Sequence, residues 1–348
     1  MHWLVEAAGR LKKLGILGMN WRNAALILDH NPRRLYPIVD DKLRMARLCK
    51  QIAVPTPAVY AAVRSYAQLR RLQDLLRFHD DFVIKPNRGS AGRGVLVILG
   101  RDGDLFIRHN GERIGFEQLR QHLSDILSGM CSLGGRPDEA IVQQRIRLHP
   151  AFEPISYKGI PDIRVILYRN EPAMAMLRLP TKASNGRANL HQGGIGTGVD
   201  LETGITHHAV LKNRACRLHP DTGVPVVGMQ VPFWPEVLSM SRRCAEAVGL
   251  GYIGVDIVVD KDAGPMLLEA NARPGLAIQI ANHQGLLPRL KEIDRMARSS
   301  RVVDGGRWTR TDDFGGRGWA NAPETSEPAI AGRVGQDENQ RVPRRKSA

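Results

Sequence analysis

No stretch of about eighteen consecutive apolar residues occurs in the sequence, so a membrane-crossing helix is not expected. The opening segment is broken by Arg10, Lys12 and Lys13 and lacks the apolar core and small-residue cleavage site of a secretory leader. A cytoplasmic location is the default expectation. Aromatic residues make up only 5%, and no basic stretch has aromatics interleaved, which argues against a groove that stacks single-stranded bases. Nucleic acid is therefore not an expected partner. The four cysteines, Cys49, Cys131, Cys216 and Cys244, form no Cys-x-x-Cys pair and none lies at zinc-site spacing with histidine. Reduced, mostly buried thiols are expected. Internal repeats are missing, and no serine or cysteine stands in a convincing nucleophile setting.

What remains is a chain of 348 residues, 43% hydrophobic and 24% charged, the range of a soluble protein able to bury a core. Its length allows one to three domains. The net charge of +15 attracts anions without selecting among them. Part of that charge lies beyond Ser299, where Gly, Pro, Ser, Glu and Arg dominate and no apolar period survives. A disordered basic tail is expected over 299–348, ending in Arg344, Arg345 and Lys346.

Apolar residues at helical spacing predict a helix over 2–14, ended by Gly15 and Gly18, and a second from Asp41 to the Val54-Pro55-Thr56-Pro57 stop. A strand near 58–62 and a helix over 66–78 follow. Phe82-Val83-Ile84 and Val95-Leu96-Val97-Ile98 flank a glycine-rich turn, the pattern of a hairpin and not of a strand-to-helix phosphate loop. Further expectations are a helix over 115–129, a strand over 140–143, a hairpin of 163–168 with 173–179, a helix over 234–248, strands over 253–260 and 265–270, and a last helix over 286–298. Residues 181–230 show little periodicity, a length of irregular chain that is usually functional or mobile.

Four segments carry candidate chemistry. Asp256 and Glu269 are acids embedded in otherwise apolar strands, and Asn271 shares a strand face with Glu269. Three oxygen donors converging on one point fit a hard cation such as magnesium; the alternative is two acids at exposed strand ends, capping turns. Lys85 ends an apolar strand and leads into Gly89 to Gly94, where glycines let backbone amides approach phosphates. An ordinary flexible turn is the alternative there. Arg164 alternates with apolar neighbours and shares a face with Asp162, for a site or for a surface ion pair. The loop from Asn185 to Gly194 offers a cation, amides and free glycines. A structural role is expected for His191, and surface positions for His207 and His208.

In this order the segments resemble the ATP-grasp superfamily, and within it the alpha-L-glutamate ligase-like (RimK-like) proteins. The matching stretches are Tyr36-Pro37-Ile38-Val39-Asp40-Asp41-Lys42, Val83-Ile84-Lys85-Pro86 with Gly89-Ser90-Ala91-Gly92-Arg93-Gly94, Asp162-Ile163-Arg164-Val165, Arg187-Ala188-Asn189-Leu190-His191-Gln192-Gly193-Gly194, and Asp256 with Glu269-Ala270-Asn271-Ala272-Arg273-Pro274-Gly275. A sugar-transfer-associated ATP-grasp group shares much of this pattern. The resemblance implies an α+β fold in which two subdomains grip ATP, over 39–298, after a short helical extension over 1–38. It implies that Lys42 and Lys85 bind phosphates and that the loop of Ser90, Ala91, Gly92, Arg93 and Gly94 closes over them. The strand end Gln143, Gln144, Arg145 and Ile146 would hold adenine through backbone groups, although relatives usually carry an acid where Gln144 stands. Asp256, Glu269 and Asn271 would hold magnesium, or manganese in its place. Arg164, Arg187, Asn189 and Arg273 would face the γ-phosphate or an acyl phosphate. The implied activity joins a carboxylate to the amine of an amino acid, peptide or protein, forming ADP and phosphate. Phosphoryl transfer of this kind needs positioning and charge neutralisation more than a protein nucleophile. Forty residues precede Asp41, where relatives often carry a whole α/β domain that helps bind the acceptor. The alternatives are a nucleotide-binding accessory protein tied to cell-surface sugar assembly, and a basic nucleic-acid-binding protein whose affinity would fall steeply with salt.

Overall fold

Two antiparallel sheets organise the chain in a computed structural model that describes residues 11–303 apart from Lys12, Ser90 and Ala91. The helix expected over 2–14 lies mostly outside the described residues, and the tail beyond Val303 lies wholly outside them. The first sheet has six strands: β1 (Val59–Val63), β2 (Phe82–Pro86), β3 (Leu96–Asp102), β4 (Leu105–Arg108), β5 (Arg113–Ile114) and β6 (Ala140–Gln143), in the order β1-β6-β2-β3-β4-β5. The second has seven: β7 (Asp162–Tyr168), β8 (Glu171–Leu179), β9 (Ile195–Val199), β10 (Thr206–Leu211), β11 (Arg214–Cys216), β12 (Tyr252–Asp260) and β13 (Gly264–Asn271), in the order β11-β10-β9-β8-β7-β12-β13. Mixed helices and antiparallel sheets make this an α+β fold, as expected.

Four longer helices close the layers: α1 (Lys42–Gln51), α2 (Phe116–Leu127), α3 (Trp234–Val248) and α4 (Leu287–Val303). Asp41 starts α1 by accepting the Arg44 amide at 2.9 Å, and so satisfies one of the orphan donors of the first turn. In α3, Pro235 occupies the first turn and Gly249, with φ of +74°, ends the helix. Leu119, Leu123, Ile126 and Leu127 of α2 form one apolar face, which joins Phe82, Ile84, Ile98 and Val142 in the core of the six-stranded sheet.

The seven-stranded sheet is covered on one face and over part of the other, which is why its strands read as almost continuous apolar runs. Ile163, Val165 and Leu167 of β7, with Ile253, Val255, Ile257 and Val259 of β12, face α3. On the opposite face Ile166, Tyr168, Met174 and Tyr252 lie under Leu17, Leu26, Ile27 and the helix α4. Leu17, Leu26 and Ile27, ahead of residue 38, are thus part of this core. Asn31 binds it to β12, donating to the Tyr252 carbonyl at 2.7 Å and accepting the Tyr252 amide at 2.9 Å. That second face is covered only over part of its length. The uncovered part carries Arg164, Arg178, Asp256 and Glu269.

Candidate active site

Asp256 pairs with Arg164 across β12 and β7 and with Glu269 across β12 and β13, while Arg178 of β8 pairs with Asp162 of β7, two residues along from Arg164. The alignment with Glu269 requires a bulge. Register shifts between Asp256 and Ile257, opposite Glu269 and Leu267, leaving Leu268 as the extra residue. Leu267 and Ala270 therefore both point into the core, while Leu268 and Glu269 both turn to the cleft.

Asp256 is fully buried and gripped by two guanidinium groups. Arg164 donates to both oxygens, at 2.7 and 2.5 Å, and Arg178 donates to Oδ2 at 2.8 Å. Arg178 also donates through Nε to buried Asp162. Burial raises the Asp256 carboxyl, but the charges of Arg164 and Arg178 outweigh it and hold the group well below the usual carboxylate range. For Asp162, burial wins over the pull of Arg178, and the nearby Asp256 charge adds to the rise, to about 7. Two acids and two arginines form a closed, charge-matched set, the condition under which buried ions are tolerated.

Glu269 stands outside that set. Among the described residues it has no hydrogen bond or salt bridge. Burial raises its carboxyl, the Asp256 charge raises it further, and Lys42 opposes both. Across the cleft Lys85, at the end of β2, is buried and likewise unpaired among the described residues. Burial, and then the neighbouring Lys42 charge, lower its ammonium to about 7 against the pull of Glu269. Lys42 is anchored, donating to the carbonyls of Gly89 at 2.8 Å and Asn87 at 3.2 Å. The turn after β2 thereby fixes the start of α1. Gly92 and Gly94 adopt φ near +72° and +71°, and a Cβ on Gly94 would stand 2.7 Å from the Cys131 sulfur. The Gly92 backbone reaches Arg187 of the opposite loop, with the Arg187 Nε 3.7 Å from where a Cβ would be.

Two chambers meet at this point. The smaller, about 350 Å³, has walls of Val83, Val95, Val97, Ile146, Ile160, Val258 and Leu268, with Lys85, Gln143, Arg93 and Arg187 among its polar lining. Only Val258 of those seven apolar residues is fully buried, so a half-exposed apolar slot lies open between the sheets. The larger, about 850 Å³, is lined by Lys42, Arg88, Arg136, Arg164, Arg178 and Arg273, with Asp40 and Glu269 as its only carboxylates among the described residues. Lys42, Gly89, Arg178, Asn189 and Glu269 line both chambers and mark their junction.

The residues singled out in the sequence distribute as follows. Lys85, Gly92, Arg93, Gln143, Arg145, Ile146, Arg187 and Asp256 line the apolar chamber, Asn271 and Arg273 the polar one, and Lys42, Asn189 and Glu269 both. Gln144 turns away: its amide donates to the Ala58 carbonyl at 2.8 Å and its side-chain oxygen accepts the Ala58 amide at 3.1 Å. The Asn271 side-chain oxygen accepts the Arg273 amide at 2.7 Å, shaping the turn that carries Arg273 over the Tyr36 ring. Ser90 and Ala91 lie outside the described residues. His191 sits exposed on the rim of the polar chamber. His207 is exposed beside Asn282, its Nε2 3.1 Å from Oδ1, and His208 places Nδ1 3.2 Å from the Ala281 carbonyl. All four cysteines are unpaired.

Arg178 was not anticipated. Its signal was available: a lone arginine after Met174 and Met176 in an alternating apolar strand, the same cue that marked Arg164. Asp40, Arg88 and Arg136 were also missed as lining groups, because nothing local distinguishes them from surface charge. Among the described residues no three acid, histidine or cysteine side chains converge as a ready metal cage. No helix among them is long and apolar enough to cross a membrane.

The fold is similar to several ATP-grasp structures, all at low identity. The ATP-grasp ligase PsnB complexed with minimal precursor shares 14% identity over 76% of this chain and 63% of that one, with a TM-score of 0.42. D-cycloserine synthetase DcsG shares 15% over 76% and 72%, with a TM-score of 0.42. D-alanine–D-alanine ligase from Bacillus anthracis shares 14% over 78% and 72%, with a TM-score of 0.44. The chain spans less than two thirds of the length of the PsnB chains it matches. No curated protein matches the sequence. The model of one family matches residues 21–295, from the helical segment before α1 through most of α4: this chain belongs to the sugar-transfer associated ATP-grasp family.

Proposed function

We propose that this protein is an ATP- and magnesium-dependent ligase that activates a carboxylate as an acyl phosphate and joins it to an amine. The observation that carries this reading is the junction of the chambers. There a buried lysine and a glutamate, both unpaired among the described residues, line one space between an apolar slot and a polar cavity. Leaving two opposite charges buried and uncompensated is costly unless a ligand brings both an anion and a cation. A metal-bound polyphosphate does both.

In this reading the apolar slot takes the adenine ring between Val83, Val97, Ile146, Val258 and Leu268, and the phosphates reach Lys85 and Lys42 at the junction. Gln143, Arg145 and Ile146 offer backbone groups to the ring edge, and Gln144 only holds the strand end in place. Glu269 and Asn271 would hold magnesium, with manganese as a substitute and phosphate oxygens completing the shell. When bound, the cation neutralises charge on the phosphates. Asp256 faces the same point, held rigid by Arg164 and Arg178. Arg187 and Asn189 lie where a γ-phosphate would stand, and Gly92 to Gly94 cover it. Arg273 faces the polar chamber, where the acid and the amine would meet. The residues work by holding and neutralising, which is what phosphoryl transfer asks of a protein.

The acid or amine is an amino acid or peptide in this account. Glutamate is the finer reading, supported by the resemblance to glutamate ligase-like proteins. The family description favours a second reading, an ATP-binding accessory protein for sugar transfer that forms no carbon–nitrogen bond. Phosphate release separates the two. The ligase releases phosphate from ATP only when a suitable acid and amine are both present. A protein that binds ATP, but whose phosphate release is indifferent to both, is the accessory protein.

A further inference from the structure

Among the described residues the polar chamber has six cationic side chains on its walls and two carboxylates. An amine held in such a chamber meets repulsion from nearly every side. Of the two carboxylates, Glu269 is committed to the cation in the reading above. The other is Asp40, the last residue of the short helix Tyr36–Asp40.

Asp40 and Asp41 are neighbours with opposite fates. Asp41 is buried, caps α1 through the Arg44 amide and stands 3.4 Å from the Arg88 guanidinium. Asp40 is exposed to the chamber and has no hydrogen-bond or ion-pair partner among the described residues. Arg273 and Lys42 lie near enough to influence it electrostatically, yet neither closes an ion pair with it. Arg273 is instead stacked over Tyr36, its guanidinium carbon 5.0 Å from the ring centre. A carboxylate and a guanidinium thus share one chamber without closing an ion pair, and among the described residues neither has another charged partner. Arg136 lines the same space, also without a carboxylate partner among the described residues.

Resting on the ligase reading, we infer that Asp40 is the group that binds the acceptor's ammonium and takes its proton, while Arg273 and Arg136 hold an anionic group on the same acceptor. The acceptor is then an amino acid or an amino-terminal residue with an acidic arm. The step balances. The ammonium gives one proton to Asp40, and the freed nitrogen pair attacks the acyl carbon. The carbon–oxygen bond to phosphate breaks, phosphate leaves with that electron pair, and the second nitrogen proton passes to solvent. Asp40 later returns its proton to water.

The test uses the full chain and two nucleophiles of different charge. Phosphate release from magnesium-ATP is followed with each proteinogenic amino acid as the acid partner. The nucleophile is either hydroxylamine, which is largely neutral at neutral pH, or a second amino acid, which arrives as an ammonium. Asp40→Asn should lower kcat/KM for the amino-acid nucleophile about tenfold more than for hydroxylamine, with KM for ATP within about twofold of wild type. Asp40→Glu should recover part of the difference. An equal loss with both nucleophiles, or no loss, overturns the role of Asp40. A wild type that releases phosphate with hydroxylamine but with no amino acid overturns the ammonium site. A wild type that releases none with either overturns the ligase reading itself.

Discussion

Lys85 should make nucleotide binding pH-dependent in a way that ordinary lysines do not. Its ammonium is lowered to about 7 by burial and by Lys42. A bound polyphosphate would supply the missing countercharge and restore it toward the usual value near 10.4. Binding is then coupled to proton uptake. Below about pH 7 the lysine is already charged and binding carries no penalty from it. Above that point each pH unit costs about 1.4 kcal/mol, so association weakens toward tenfold per unit. Between about pH 7 and 8.5 the expected loss is about fifteenfold, close to 1.6 kcal/mol. The terminal phosphate of the nucleotide titrates near pH 6 and gains charge as pH rises, so the window above about pH 7 isolates the lysine. Titration calorimetry of magnesium-ATP at several pH values, repeated in buffers of different ionisation enthalpy, measures both quantities. Uptake should approach one proton at the alkaline end. Lys85→Arg keeps a charge throughout and should flatten the profile. A flat wild-type profile, or the same slope in Lys85→Arg, refutes the reasoning.

The same lysine should cost stability. A folded pKa below the unfolded one means the unfolded chain binds more protons between about pH 7 and 10, so wild-type stability should rise with pH across that window. Lys85→Met should lose that slope, melt higher by the equivalent of about 1–3 kcal/mol at neutral pH, and fail to bind ATP, as read by thermal denaturation and calorimetry. Asp256→Ala leaves Arg164 and Arg178 buried without their shared partner and should cost about 3–5 kcal/mol in urea denaturation; a loss under about 1 kcal/mol would show that the arginines find other partners. Leu268→Trp should fill the apolar chamber. It should weaken ATP binding at least about tenfold with little change in melting temperature, because Leu268 is a half-exposed bulge residue outside the core.

A sequence reading recovers the parts of the fold that apolar residues mark, the buried face of α3 and the almost continuous runs of β7 and β8. The helix α3 and the hairpin of β7 and β8 match their expected spans within two residues. The hairpin turn at Arg169 and Asn170 has positive φ at both central positions, +49° and +66°. Where glycines take the place of apolar side chains in a buried strand, the signal vanishes. All five residues of β9 are buried, and two of them are glycines chosen for closeness: a Cβ on Gly196 would stand 2.6 Å from Leu190, and one on Gly198 2.7 Å from Asn282. Those glycines made residues 181–230 read as loop, although β9, β10 and β11 lie within them. The helix expected over 66–78 divides into Tyr66–Leu69 and Leu72–Leu76, while its buried residues Leu69, Leu72 and Leu76 keep helical spacing across the break and so conceal it. Alternation put Arg164 on one face with Asp162, and Glu269 on one face with Asn271, but the bulge at Leu268 that sets Glu269 opposite Asp256 leaves no trace in the order of residues. Chamber-lining groups such as Asp40 and Arg136 gain meaning only from what surrounds them in space.

In the proposed ligase the junction of the two chambers holds a metal-bound nucleotide, and Glu269, unpaired among the described residues, receives the cation. Titration of ATP into the full chain with and without magnesium, in wild type and in Glu269→Ala, addresses it most directly. Wild type should bind ATP far more tightly with magnesium present, and Glu269→Ala should lose most of that dependence while remaining folded. No binding by wild type, or an unchanged magnesium dependence in Glu269→Ala, would contradict it.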